Sequence, residues 1–191
     1  MVEKSVHHPY LFLELRESSI GMTDAEFKAI FREHQAVVYR FAWRITDSAQ
    51  RAEDITQETF LALLKAPARF DPARGTMRGF LLGIARHLAL KLWREELRWE
   101  ELDSDEVWVP AFDFSQGETG DRVAAAVRAL PPLQREALVL ATYEGMPLAE
   151  IARVVHADVG TVKSRLWRAR ENLRRVLAPV SHQQRHSQGV K

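Results

Sequence analysis

A cluster of basic, hydroxyl and aromatic side chains lies between residues 159 and 175 of this 191-residue chain. Six basic residues occur in this stretch, against Glu171 as its one acidic residue. Side chains of these types contact base edges and phosphates in the major groove of DNA. The candidate contacts are Thr161, Lys163, Ser164, Arg165, Trp167 and Arg168. The pattern predicts a nucleic-acid-binding helix that carries these six side chains on its surface.

The segments around this cluster predict the element that positions it. Pro147 opens a short helix from Leu148 to Val155, residues 156–158 turn the chain, and a longer helix runs from Val159 to about Leu177. A short helix, a tight turn and a basic helix form the helix-turn-helix plan. His156 stands in the turn, and Asp158 is placed to cap the second helix. An ordinary basic surface helix would explain the charge but neither the short helix nor the turn.

The formal net charge of +1 conceals a segregation of charge along the chain. Nine acidic residues lie between Glu96 and Asp121, with Arg98 as the one basic residue among them. Pro110 and two glycines also interrupt this stretch, so residues 97–119 are expected to form a flexible acidic linker. An acidic stretch beside a basic helix favours an interaction surface for a polyanion.

Composition excludes several functional classes. The chain has no cysteine, which rules out disulfides, thiol catalysis and thiolate zinc sites. It also lacks the motifs of nucleotide hydrolases, serine hydrolases and zinc proteases, and Glu144 and Glu150 are interpreted as solvated surface residues. No apolar run is long enough to cross a membrane. We therefore expect a cytoplasmic protein without membrane insertion, catalytic residues, cofactor or metal.

The first half of the chain predicts three amphipathic helices. Residues 23–26 form a capping box, followed by an apolar stripe to about Ile45. Asp47 or Ser48 caps a second helix that ends near Lys65, and a third helix starts near Thr76. Its predicted inward face comprises Met77, Phe80, Leu81, Ile84, Leu88 and Leu92. Three such helices with short connections form a small bundle.

The predicted fold is therefore all-α, with two small helical domains joined by the acidic linker. The bundle spans residues 22–96, the linker 97–119 and the second domain 120–178. Residues 179–191 are expected to be a disordered tail, and residues 1–21 an N-terminal extension that is either disordered or a mis-assigned start, since Met22 offers an alternative start of translation. Histidine pairs in these two terminal segments are not expected to bind metal.

Five stretches together resemble the extracytoplasmic-function (ECF) sigma factors of bacterial RNA polymerase. Residues 146–152 and 159–170 are similar to the DNA-binding domain of that family, and residues 52–61 to its polymerase-binding helix. Residues 70–75 and 82–86 are similar to its promoter-melting segment. The match covers roughly residues 23–178 in the expected order, with sigma region 2 first and sigma region 4 second.

The resemblance implies a role for each surface. Asp54, Gln57 and Glu58 would contact core RNA polymerase, and the six helix-turn-helix residues would contact the minus-thirty-five promoter element. The minus-ten element would be bound by Arg74, Arg78, Phe80, Arg86, His87, Lys91 and Arg94. The family often has tryptophan at the position of Phe80 and asparagine at that of His87, so His87 is either a base contact or a histidine at the edge of the core. The resemblance also implies control by an anti-sigma factor.

Two other interpretations compete with a transcription-initiation subunit. The first is a free-standing DNA-binding regulator that uses only the helix-turn-helix, with the bundle as a sensor or dimerisation module. The second is an enzyme with a DNA-binding tail. The first leaves the acidic second helix and the basic third helix unexplained. The second lacks a cluster of nucleophile, base and orienting residue.

Overall fold

The computed structural model describes residues 22–96 and 119–178, and each segment forms a helical module. The N-terminal module contains α1 (Asp24–Thr46), α2 (Ala49–Lys65) and α3 (Met77–Glu96), with a single 3-10 turn at Pro67–Arg69. These bounds agree with the predicted helices to within a residue or two. The predicted N-terminal extension, acidic linker and C-terminal tail, with their histidine pairs, lie outside the described residues apart from Thr119.

Side-chain caps fix the starts of the first two helices. Thr23 accepts a hydrogen bond from the amide of Glu26 at 3.2 Å, and the Glu26 carboxylate accepts one from the amide of Thr23 at 2.7 Å. This confirms the predicted capping box, and the bonds to Thr23 lower the pKa of Glu26. Ser48, rather than Asp47, caps α2, while Asp47 ends α1 in the left-handed conformation with φ of 52°.

An aromatic cluster forms the centre of the N-terminal module. Phe60 is fully buried and lies 4.8 Å from Phe31 and 6.3 Å from Phe27, measured between ring centroids. The predicted inward residues of α2 are all buried: Ala52, Ile55, Phe60, Leu63 and Leu64. Apolar spacing alone therefore identified the buried side of α2.

The predicted inward face of α3 was partly wrong. Leu81 is fully buried, but Met77, Phe80, Ile84, Leu88 and Leu92 are only partly buried. The buried side chains of α3 are Leu81, Leu82, Ala85, Ala89, Leu90 and Trp93. The reason is that α3 packs against α1 and α2 on one side and against the C-terminal module on another. A helix covered on two sides has no single apolar stripe.

The C-terminal module comprises four helices. They are α4 (Thr119–Ala129), α5 (Pro132–Leu138), α6 (Leu148–Val155) and α7 (Val159–Leu177). The chain continues from α5 into one wider turn of π-helix at Val139–Tyr143. Gly145, with φ of 62°, follows this turn in the left-handed conformation that glycine adopts without strain. The predicted bounds of α6 and α7 are confirmed.

Candidate nucleic-acid interface

The turn between α6 and α7 has the predicted helix-turn-helix geometry. His156 adopts φ of 51° and ψ of 46°, and the next amide, that of Ala157, donates to the carbonyl of Ala152 at 3.0 Å. Asp158 then caps α7: its carboxylate accepts from the Thr161 amide at 2.8 Å and from the Thr161 hydroxyl at 2.7 Å. A non-glycine residue thus occupies the left-handed position, and the cap stabilises the helix that follows.

The Asp158 cap predicts an acid-sensitive C-terminal module. Its bonds to Thr161 lower the pKa of Asp158 below the ordinary value of 3.8. A lowered folded-state pKa stabilises the fold above that ordinary value, and the contribution is lost as the pH falls through the folded-state pKa. We expect Asp158→Ala to lower the melting temperature at pH 7 and to have a smaller effect at pH 3.

Thermal unfolding followed by circular dichroism at both pH values tests this prediction. Asp158→Asn is the matched control, because asparagine caps a helix but does not titrate in this range. It should keep most of the stability at pH 7. An Asp158→Ala variant that melts like the unmodified chain at pH 7 would contradict the prediction.

The predicted DNA-binding side chains of α7 differ in exposure. Lys163 is exposed and Trp167 is 66% exposed, while Thr161, Ser164 and Arg168 are half-buried. The expectation that Arg165 lies on the surface was wrong, since this residue is only 9% exposed. Its position belongs to the stripe that packs α7 into its module, which comprises Val162, Arg165, Leu166 and Ala169. This three-and-four spacing, visible in the sequence, could have identified it.

The predicted polymerase-binding residues share one exposed face of α2. Asp54, Gln57 and Glu58 are all exposed, whereas the adjacent residues Ile55 and Thr59 are buried. Asp54 accepts a hydrogen bond from Gln50 one turn earlier at 3.2 Å. The face therefore carries negative charge on a rigid helix, which suits a basic protein surface.

The predicted minus-ten residues divide into two groups. Arg74, His87, Lys91 and Arg94 are exposed, and Phe80 is half-buried with its ring 5.6 Å from that of Phe70. Because His87 is exposed, the structure favours a base contact over a place at the edge of the core. Arg78 and Arg86 instead face the C-terminal module, where each contacts a carboxylate.

Acidic side chains of the C-terminal module meet these two arginines. Arg86 donates to Glu136 at 2.7 Å, and Arg78 donates to the carboxylate of Glu144 at 2.7 Å. Arg44 also lies 3.8 Å from the Glu144 carboxylate. The side chains of Glu136 and Glu144 are 1% and 3% exposed. The expectation that Glu144 is a solvated surface residue was therefore wrong. Its carboxylate neutralises cationic side chains at a buried contact.

Two further contacts extend the same interface. Thr76 donates to the carboxylate of Glu150 at 2.6 Å, and Arg153 donates to the carbonyl of Arg74 at 2.5 Å. The expectation that Glu150 is merely solvated was therefore also wrong. Gly79 lies so close that a Cβ there would be 2.9 Å from the Glu150 carboxylate. The start of α3 thus fits against α6.

A buried arginine completes the contact between the modules. The Arg135 guanidinium lies 5.3 Å from the centroid of the Trp93 ring and donates to the carbonyl of Arg128 at 2.8 Å. Burial lowers the pKa of Arg135 to about 10, an effect that the negative charge of Asp47 partly opposes. Arg135 therefore stays charged at neutral pH, and its charge is held against an aromatic face.

Within residues 22–96 and 119–178, no group of three or more histidine, aspartate or glutamate side chains could hold a metal ion. In the same residues, no helix is both long and apolar enough to span a bilayer.

Comparisons with known proteins match both modules. The family model of sigma-70 region 2 matches residues 30–99, and that of sigma-70 region 4 matches residues 120–173. The ECF RNA polymerase sigma factor SigE of Mycolicibacterium smegmatis is 36% identical over 160 residues, which cover 80% of this chain and 62% of SigE. The chain thus spans somewhat less than two thirds of that relative.

Two solved structures resemble this chain over about four-fifths of its length. One is the sigma factor RpoE in complex with the anti-sigma factor NepR from Bartonella quintana, with a TM-score of 0.62 and 26% identity over 79% of this chain and 96% of that one. The other is CnrH in complex with the cytosolic domain of CnrY, also with a TM-score of 0.62 and 26% identity, over 81% of this chain and 89% of that one.

A chain whose described residues form a helical region 2 bundle followed by a region 4 helix-turn-helix is a sigma-70-type protein. Since its relatives are ECF sigma factors, the chain belongs to the extracytoplasmic-function family of RNA polymerase sigma factors.

Proposed function

We propose that this chain is a dissociable initiation subunit that binds core RNA polymerase and directs it to promoters. The observation that carries the proposal is the order of its surfaces: an exposed acidic face on α2, arginines along α3 and a capped helix-turn-helix at α6 and α7. A free-standing regulator would need only the last of these. The protein works in the cytoplasm, where the polymerase is, and has no catalytic activity of its own.

Each module makes a separate contact in this proposal. Asp54, Gln57 and Glu58 bind the polymerase, and α7 enters the major groove at the minus-thirty-five element. Lys163 and Trp167 are the most exposed of its predicted contacts. The buried guanidinium of Arg165 is better suited to holding α7 in the module than to contacting a base.

Promoter melting requires energy that the protein must supply by binding. Opening a few base pairs costs several kcal/mol, at roughly 1.4 kcal/mol per stacked step. The sequence has no nucleotide-hydrolysis motif, so contacts to the opened strand must offset this cost. The cationic side chains of α3 and its preceding loop contact phosphates, and an unstacked base is held near the loop beside Phe80.

An anti-sigma factor is the expected regulator. The solved relatives RpoE and CnrH are both described in complexes with a second protein, and NepR is named as an anti-sigma factor. We infer that a partner of this class binds the present chain and competes with polymerase or DNA. Co-purification with the full chain would identify this partner.

Run-off transcription tests the proposed function directly. The purified chain is added to bacterial core RNA polymerase on sheared fragments of the source genome, and new transcripts are mapped. Defined start sites that depend on the chain would support the proposal. DNA binding at specific sites without any polymerase-dependent transcript would instead favour the free-standing regulator.

Arg168 provides a test of DNA recognition by α7. If it contacts a base edge, Arg168→Ala should weaken binding to a mapped promoter by about 1–3 kcal/mol and relax the preference at one position. If it contacts phosphate, all DNA sequences should weaken equally and the salt dependence should fall by about one unit. Arg175→Ala, at the far end of the same helix, is the matched control. Unchanged DNA binding by the Arg168→Ala variant would show that Arg168 does not contact the DNA.

A further inference from the structure

A pair of side-chain amides joins α7 to α5 inside the C-terminal module. Gln134 of α5 is only 2% exposed, and its Oε1 accepts a hydrogen bond from Nδ2 of Asn172 at 2.8 Å. The two residues are 38 positions apart in the chain. Neither of them is among the predicted DNA contacts. The contact therefore belongs to the support of α7 and not to its DNA-binding surface.

A second hydrogen bond orients Asn172. This residue is half-buried, and its Oδ1 accepts from the guanidinium of Arg175 at 3.0 Å. A side-chain amide has one end that accepts and one that donates. With its oxygen bonded to Arg175, Asn172 presents its nitrogen to Gln134, so the contact between α5 and α7 has a defined direction.

The apolar contacts of α7 are less directional. This helix packs against α4, α5 and α6, and Val162, Leu166 and Ala169 are buried in the packing. The hydrophobic effect depends on the area removed from water and not on an angle. A hydrogen bond, in contrast, weakens steeply outside a narrow range of distance and angle. The amide pair therefore restricts rotation of α7 about its axis more sharply than the apolar stripe does.

A small rotation of α7 would change what it contacts on DNA. Side chains end about 5–6 Å from a helix axis, so a rotation of about 20° moves them by about 2 Å. A hydrogen bond to a base edge tolerates far less, since its heavy atoms lie about 2.7–3.2 Å apart. Contacts to phosphate carry no sequence information. Loss of the amide contact should therefore reduce sequence preference more than total affinity.

We propose that Gln134 is a positioning residue for promoter recognition. Through Asn172 it sets the rotation of α7, and thereby the base preference at the minus-thirty-five element. This proposal rests on the proposed function, because it takes α7 as the helix that enters the major groove. Gln134 itself is buried and does not touch DNA.

An apolar replacement of both amides separates positioning from stability. Gln134→Met with Asn172→Leu keeps the side chains at similar size, and replacing both partners of a hydrogen bond in this way is nearly neutral for stability. The holoenzyme formed with core RNA polymerase is measured on a mapped promoter and on the same DNA with a scrambled minus-thirty-five element. We expect the ratio of the two affinities to fall about tenfold, while the melting temperature and the affinity for scrambled DNA change little. An unchanged ratio would overturn the proposal.

Two further variants control for other effects. Arg175→Ala removes the outer bond of Asn172 and keeps the inner one, so it should retain the ratio. Gln134→Asn with Asn172→Gln keeps both amides and their combined length, and it should restore most of the ratio. If the exchanged pair were as unselective as the apolar pair, or if Arg175→Ala lowered the ratio equally, the amide contact would not be the cause.

The single variant Asn172→Ala covers the case in which the apolar pair does not fold. Its site is half-buried, and alanine favours a helix at such a position. It should lower the ratio as well, and a ratio equal to that of the unmodified chain would overturn the proposal. Run-off transcription by the unmodified chain tests the proposed function separately. An unmodified holoenzyme without any preference for the mapped promoter would contradict that function, and this proposal with it.

Discussion

Replacing Phe60 with alanine is expected to lower the free energy of unfolding of the N-terminal module by about 3–5 kcal/mol. Phe60 is fully buried, and it makes edge-to-face contacts with both Phe31 and Phe27. Alanine removes the ring and leaves a cavity between α1 and α2. Because domains of this size are stable by only about 5–15 kcal/mol, this single change would bring the module close to unfolding.

Urea unfolding followed by circular dichroism provides the measurement. Phe60→Leu is the control, since leucine fills much of the same volume and should lose considerably less stability. A loss below about 1.5 kcal/mol for the alanine variant would show that the helices collapse around the missing ring.

Local sequence patterns predicted the helices because each signal acts within a few residues. The capping box at Thr23 and Glu26 and the cap at Asp158 involve residues three apart, and both form as expected. Pro147 likewise determines where α6 begins, and residues 156–158 determine where it ends, both through local backbone preference. Signals of this range determine where helices start and stop, and they gave the helix-turn-helix.

The packing between modules could not be predicted in this way. Arg78 and Glu144 are 66 residues apart, and Arg86 and Glu136 are 50 apart, with the acidic linker between them. Any exposed glutamate could pair with these arginines, so the sequence does not select a partner. The same contact explains the error on α3, because a helix face that appears solvent-facing within one module is covered by the other.

Arg165 shows a different limit of sequence analysis. Its charge favoured the DNA-binding surface, whereas its spacing from Val162 and Ala169 favoured the core. Arg165 is buried, as its spacing indicates, because an arginine can bury its aliphatic stem among apolar neighbours. Lys163 and Trp167 are off that stripe and are exposed. In α7, helical position is thus a better guide to exposure than residue type.

Reversing the charge of the α2 face is expected to abolish transcription while leaving the fold intact. In the variant Asp54→Arg with Glu58→Arg, two exposed carboxylates become cations and would repel the basic polymerase surface inferred above. Like charges placed together at an interface cost several kcal/mol. We expect at least about a 100-fold loss of affinity for core polymerase, which corresponds to about 2.7 kcal/mol.

Fluorescence anisotropy of the labelled chain with core polymerase measures this loss, and run-off transcription reports its consequence. The matched control, Glu33→Arg with Asp121→Arg, reverses two other exposed carboxylates and should retain polymerase binding. The α2 variant should melt like the unmodified chain, because neither side chain is buried. Its binding to single-stranded DNA should not weaken, because the two substitutions lie on α2 and the proposed DNA contacts lie on α3 and α7. If both variants bound polymerase equally well, the polymerase contact would have to lie elsewhere on the chain, and the acidic face of α2 would lose its proposed role.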